Sequence, residues 1–190
     1  MAKNSMLKTI LTAIAMVLCL VTVVTFFLPT FKAVEEDAKE VYNYSSMELA
    51  FISAEKAEEK AEEAGKAGEM KEAYRYYGIA ELKTNEETKG AIKAIGWIHF
   101  FAAVVSVAAI ALLVLSMLGK NVGLYATIAA GVAAILAVVA LIITCVFVNA
   151  EDAAGVKIKE VLMTVGVSTI LGTITAVLAP VANVVKNLKK

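Results

Sequence analysis

Apolar residues fall into four long runs, Leu7 to Leu28, about Trp97 to Leu118, Leu124 to Val148 and about Val161 to Val185. Crossing roughly 30 Å of hydrocarbon takes about 20 such residues in a helix. None of the four runs holds a charged side chain in its middle, so the pattern predicts four transmembrane helices. The first run is longer than the roughly 7–15 apolar residues of a secretory signal. It ends in Pro29-Thr30-Phe31-Lys32 rather than at a small-residue cleavage site, and Leu18 precedes Cys19 where a lipoprotein anchor has a small residue. An uncleaved first span is therefore expected.

Between the first two runs the pattern changes. Residues 30–96 carry 15 acids against 10 bases, are rich in Ala, Glu and Lys, and contain no proline. That composition favours helix. Ser45 and Glu48 have the spacing of a capping box, after which Phe51, Ala54, Ala57, Ala61 and Ala64 recur at intervals of three and four. Gly65 and Gly68 then predict a turn, and a short amphipathic helix from Glu69 to Lys83 brings Met70, Tyr74, Tyr77 and Leu82 to one side. Thr84 with Glu87 reads as a second capping box, opening a helix that runs through Ala91 and Ile95 into the second span.

The expected fold is an all-α membrane protein, a four-transmembrane-helix bundle with a helical extracellular cap inserted between spans one and two. Its segments are residues 1–29 (N-terminus and span one), 30–96 (acidic, helix-rich cap), 97–185 (spans two to four with short loops) and 186–190 (basic tail).

Charge sets the expected orientation. Lys3, Lys8, Lys120, Lys186, Lys189 and Lys190 flank the spans on one side with no carboxylate among them, whereas all 18 carboxylates lie on the other side. The positive-inside rule then puts both termini in the cytoplasm of a multi-pass plasma-membrane protein. Glu151, Asp152, Lys157, Lys159 and Glu160 form a charged collar at the outer end of spans three and four. A formal net charge of zero gives no global field to draw in nucleic acid.

Lipid supplies no hydrophobic drive between helices, so small residues and interhelical hydrogen bonds must hold a bundle together. Such stripes are present as Thr12, Ala15, Cys19 and Thr22 in span one, Ala102, Ser106, Ala109 and Ser116 in span two, and Ala126, Ala130, Ala133 and Ala137 in span three. Span four is the most polar: Thr164, Ser168, Gly172 and Ala176 follow at four-residue intervals beside Thr169, Thr173 and Thr175. This face reads either as tight helix packing or as a surface lining water in a pore.

Candidate chemistry is sparse. No charged side chain lies in the middle of a span, where a proton relay or coupling site would place one; Lys8 and His99 sit at span ends. Cys19 and Cys145 are far apart in sequence, and His99 is the only histidine. No phosphate-cradling glycine loop and no nucleophile with a partner base can be read. No catalytic, cofactor-binding or metal site is expected, and enzymatic activity is not. Tyr74, Tyr76 and Tyr77 form the candidate contact surface of the cap, tyrosine being common at such surfaces.

In number of spans and loop lengths the plan resembles the claudin and tetraspan group and large-pore channels. The first outer loop of claudins carries Trp, Gly-Leu-Trp and two cysteines, and residues 30–96 contain neither cysteine nor tryptophan. The resemblance is therefore one of topology and implies no function. The sequence leads to a non-enzymatic tetraspan protein, a structural or interaction component in contact with the lipid bilayer. It is expected to work through its cap, in a homo-oligomer or with another membrane or extracellular protein. The alternative is a subunit of an oligomeric pore or channel lined by the Thr and Ser face of span four.

Overall fold

A computed structural model describes residues 2–35, 40–150 and 163–188. The charged collar at 151–160 and the last two lysines, Lys189 and Lys190, lie outside the described residues. In chain order the elements are α1 (Ala2–Thr25), β1 (Pro29–Glu35), β2 (Glu40–Ser45), α2 (Ser46–Phe51), α3 (Ala54–Lys66), α4 (Met70–Thr84), α5 (Lys89–Met117), α6 (Gly123–Val148), β3 (Met163–Val165) and α7 (Val167–Leu188). The protein is mostly helical. Four helices, within Met6–Thr25, Lys89–Met117, Gly123–Val148 and Val167–Lys186, are long and apolar enough to cross a membrane. This is a membrane protein in contact with a lipid bilayer.

The chain forms two compact units. Unit one takes residues 1–26, 98–141 and 168–190, and unit two residues 27–97 and 142–167. The long helices α5 and α6 contribute to both.

Unit one is a bundle of four helical segments with a seam of small residues. Ala15, Cys19, Ala102, Ala109, Ala126, Ala130, Ala133, Ala137, Ala176 and Ala179 are all buried, while larger side chains such as Val17, Leu20, Val107, Ile135 and Ile174 point outward. That inversion is what lipid favours, because backbones that approach closely gain dispersion contacts that two leucine faces would not. The stripes read from spans one to three sit in this seam, Ser116 at its half-buried end. Pro180 lies inside α7.

Unit two has its own core, in which Phe31, Tyr42, Tyr44, Leu49, Ala57, Ile79, Ile92 and Ile95 pack with Phe147 and Val148 from the last turn of α6. Here the all-α expectation fails. β1 pairs antiparallel with β2 from Phe31↔Tyr44 to Glu35↔Glu40, and antiparallel with β3 from Phe31↔Val165 to Ala33↔Met163, in the order β2-β1-β3. Val41, Tyr42 and Tyr44 are strand-forming types, and the aromatic–polar–aromatic step Tyr42-Asn43-Tyr44 has the two-residue period of a strand. The Ala, Glu and Lys content of the segment as a whole masked that local signal.

The helix starts and stops are partly as read. Ser45 and Glu48 do form a capping box at the start of α2. The helix then ends at Phe51, and Ser53 caps a separate α3 through Lys56 N–H, so Phe51 is exposed instead of joining the Ala57, Ala61 and Ala64 stripe, which is buried. The turn at Gly68 is as expected: its φ is +79°, Glu69 N–H reaches Ala64 O at 2.9 Å, and Gly68 N–H reaches Gly65 O at 3.1 Å, the two bonds of a Schellman stop. The Thr84–Glu87 box does not form. Thr84 instead donates back to Ala80 O within α4, and Asn85 Oδ1 accepts from Glu87 N–H ahead of α5.

Candidate interaction site

The predicted polar face of span four is divided by the structure. Thr164 is not on a helix at all: it lies in β3, paired with Lys32 of β1, because α7 begins only at Val167. Ser168, Thr169, Gly172, Thr173 and Ala176 do fall on α7 and are buried inside unit one. Thr173 Oγ1 donates to Thr169 O at 2.8 Å and lies 3.3 Å from Ala137 O of α6. The hydroxyls of Thr175 and Thr22 of α1 share a hydrogen bond of 3.0 Å. A Cβ on Gly172 would stand 2.5 Å from Thr25 Oγ1, so α7 approaches α1 at a distance that only glycine permits. The α7 part of the face is buried within unit one, where the Thr173 and Thr175 hydroxyls bond back to carbonyls of their own helix.

The three tyrosines separate as well. Tyr74 and Tyr77 are 52% and 48% exposed and share one face of α4 with Met70, also 52% exposed. Ala73, Ile79 and Ala80 of the same helix face the core. Tyr76 is half-buried against that core, with Lys60 Nζ 5.1 Å and the Arg75 guanidinium 5.2 Å from its ring centroid. The helix thus buries one side in alanine and isoleucine and leaves Met70, Tyr74 and Tyr77 exposed on the other.

Beside it lies a charged network that sequence reading missed. Glu48 is buried; its Oε2 accepts from Ser45 N–H at 3.0 Å and from Ser45 Oγ at 2.8 Å, and its Oε1 accepts from Arg75 Nη2. Arg75 also donates from Nη1 to Glu72 at 2.8 Å and from Nε to Asn43 O at 2.9 Å. Burial alone would lower the Arg75 pKa, but the charges and hydrogen bonds of Glu48 and Glu72 outweigh it and hold it above its ordinary value. A cleft of about 430 Å³ opens here, lined by Phe27, Tyr42, Met47, Glu48, Lys71, Glu72 and Arg75 among others.

A signal for this network was present. Arg75 is the only arginine among 17 lysines, and a planar fork of donors suits a multi-acceptor site that an ammonium cannot serve. Lys83 was also missed. Its Nζ donates to Leu49 O at 2.8 Å and to Ile52 O, closing the C-terminal end of α2. Burial, with a smaller contribution from Lys93, lowers its pKa. Among the described residues no group of three or more His, Cys, Asp or Glu side chains is placed to hold a metal ion.

Comparison of the chain with known protein families, with curated proteins and with solved structures finds no match.

Proposed function

We propose that this protein is a non-enzymatic interaction component of the plasma membrane that engages a protein partner through the α4 face of unit two. In this reading the first outer segment forms an extracellular cap, both termini are cytoplasmic, and the working form is a homo-oligomer or a complex with another membrane or extracellular protein. The observation that carries it is the joint exposure of Met70, Tyr74 and Tyr77 at positions i, i+4 and i+7 of α4. Methionine and tyrosine give large contact areas, and an amphipathic helix whose apolar face is open offers anchors at this spacing. The Glu48–Arg75–Glu72 network, which ties α4 to α2, supports the reading, since a held helix loses little freedom on binding.

The pore alternative has less behind it. Ser168, Thr169 and Thr173 are buried in unit one, so they offer no free hydroxyl face for copies to arrange around water.

The test is site-specific photocrosslinking in cells, with benzoylphenylalanine at Tyr74 or Tyr77 and, as control, at the exposed Glu59 of α3. An adduct of defined mass at Tyr74 and Tyr77 but not at Glu59 supports the reading, and its composition names the partner. Equal labelling at all three positions, or none, overturns it.

A further inference from the structure

α2 is six residues long, and side chains close both of its ends. At its start Ser45 Oγ accepts from Glu48 N–H at 3.3 Å while the Glu48 carboxylate accepts from Ser45 N–H at 3.0 Å. At its close Lys83 donates to Leu49 O and Ile52 O. Glu48, its one charged residue, is buried with Ser46 and Leu49, which leaves an outer face of Met47 and Phe51, 38% and 52% exposed. The helix is also held at one height on α5. A Cβ on Gly96 would stand 2.6 Å from Ala50 N and 2.7 Å from Leu49 C, so the two backbones approach as only glycine permits. One residue on, Trp97 meets Phe51 edge-on with ring centroids 5.5 Å apart.

That height is the edge of the membrane. Roughly 20 residues cross the hydrocarbon, and counted back from Met117, where α5 ends, they reach Ile98. Lys93, one turn before Trp97 and exposed, stays on the water side. Phe27, two residues past the end of span one, lines the same cleft as Met47, so the apolar rim runs from the end of one span toward the start of the other. Tryptophan and tyrosine rings settle at the headgroup level, and a helix with an open apolar face lies there in the plane of the surface. We propose that α2 is an interfacial helix: Met47 and Phe51 insert beside Trp97 into the headgroup layer and seat unit two on the bilayer. The occupant of this face is lipid rather than protein, because Trp97 makes the face continuous with the lipid-contacting surface of span two. α2 carries no cation, so the contact is with the headgroup–acyl boundary and needs no anionic lipid.

Spin labelling of the full chain in phosphatidylcholine nanodiscs tests this, with a nitroxide at Met47→Cys or Phe51→Cys in a Cys19→Ala/Cys145→Ala background. Glu59→Cys on α3 is the water-exposed control, and Ile135→Cys on α6 the lipid-exposed one. Relaxation of each label by oxygen, which partitions into lipid, is compared with relaxation by a water-soluble nickel chelate. The labels at Met47 and Phe51 are expected to favour oxygen severalfold more than the label at Glu59, and to approach the label at Ile135. In the unaltered chain Trp97 should be quenched more by phosphatidylcholine brominated near the glycerol end of its chains than near the methyl end, a measurement that needs no variant to fold. Oxygen-to-nickel ratios at Met47 and Phe51 equal to that at Glu59 overturn the proposal. Low access of both reagents to those labels also overturns it, in favour of a protein contact, as does Trp97 quenching no stronger from the glycerol end.

Discussion

Arg75 of α4 grips Glu48 of α2 through its Nη2, and the same carboxylate caps α2 through Ser45. One buried acid thus joins two helices and the end of β2. Breaking a buried pair from one side leaves the other charge uncompensated, which costs about 3–5 kcal/mol. Arg75→Ala is therefore expected to lower the stability of unit two by roughly that amount. Arg75→Lys keeps the charge but not the three-way fork, and should cost less. Fluorescence of Trp97, the only tryptophan and an edge-on neighbour of Phe51 at 5.5 Å, reports the unfolding of this unit directly. An alanine variant that melts with the wild type would show that the pair contributes nothing to the fold.

What the sequence disclosed followed from signal length. Runs of 22 residues or more announce a helix in a bilayer whatever surrounds them, and small-residue stripes repeating over several turns fixed the seam residues Ala15, Cys19, Ala109 and Ala130. Short elements were lost for the converse reason. Met163–Val165 is three residues long and became a strand only because β1 stood ready to pair with it. Without that partner its apolar residues extend the run of span four, which is why Thr164 was assigned to the wrong element. The Glu48–Arg75 pair joins positions 27 residues apart, and no periodic pattern marks such a contact. Only the single arginine hinted at it.

Exposure without a structural role predicts separable effects at the α4 face. Tyr74→Ala and Tyr77→Ala remove side chains that are about half exposed, and surface changes of this kind stay within about 0.5 kcal/mol in stability. At the centre of an interface the same truncations commonly cost about 2 kcal/mol or more in binding. The double variant is expected to melt with the wild type and to fail to co-purify with its crosslinked partner. Retained co-purification would place the contact elsewhere on the protein.

The seam between α7 and α1 is testable at Gly172. Alanine there brings a Cβ to 2.5 Å from Thr25 Oγ1 and 3.2 Å from Thr25 Cβ, against a hydroxyl that bonds Thr22 O at 2.8 Å. Relieving the clash separates the helices or breaks that bond, and overpacking of this sort costs about 1–3 kcal/mol. Gly131, with nothing within 4 Å of its Cβ position, is the control, and alanine there should be neutral or stabilising. Thr25→Ala should recover part of the Gly172→Ala loss. The readout is the midpoint of denaturation in a mixed-micelle SDS titration, and equal midpoints for the two alanine variants would refute the close approach.

Lys83 gives unit two a dependence on alkaline pH whose sign is fixed by burial. Its folded pKa is lowered below the ordinary 10.5, chiefly by burial and then by Lys93, so between the two values the unfolded chain binds the proton more tightly than the folded one. Stability tied to this group is therefore greatest above 10.5 and is lost as pH falls through the lowered folded value. Raising the pH toward 10.5 should thus raise the Trp97-monitored melting temperature relative to a Lys83→Met variant. That variant also loses the donors that close α2 at Leu49 O and Ile52 O, and unpaired buried carbonyls cost roughly 1–3 kcal/mol, so it should be less stable at every pH. The two effects separate cleanly: a constant offset belongs to the lost hydrogen bonds, and a gap that widens with pH belongs to the ammonium. Parallel melting curves across the alkaline range would show that Lys83 keeps an ordinary proton affinity and that its burial is relieved by solvent.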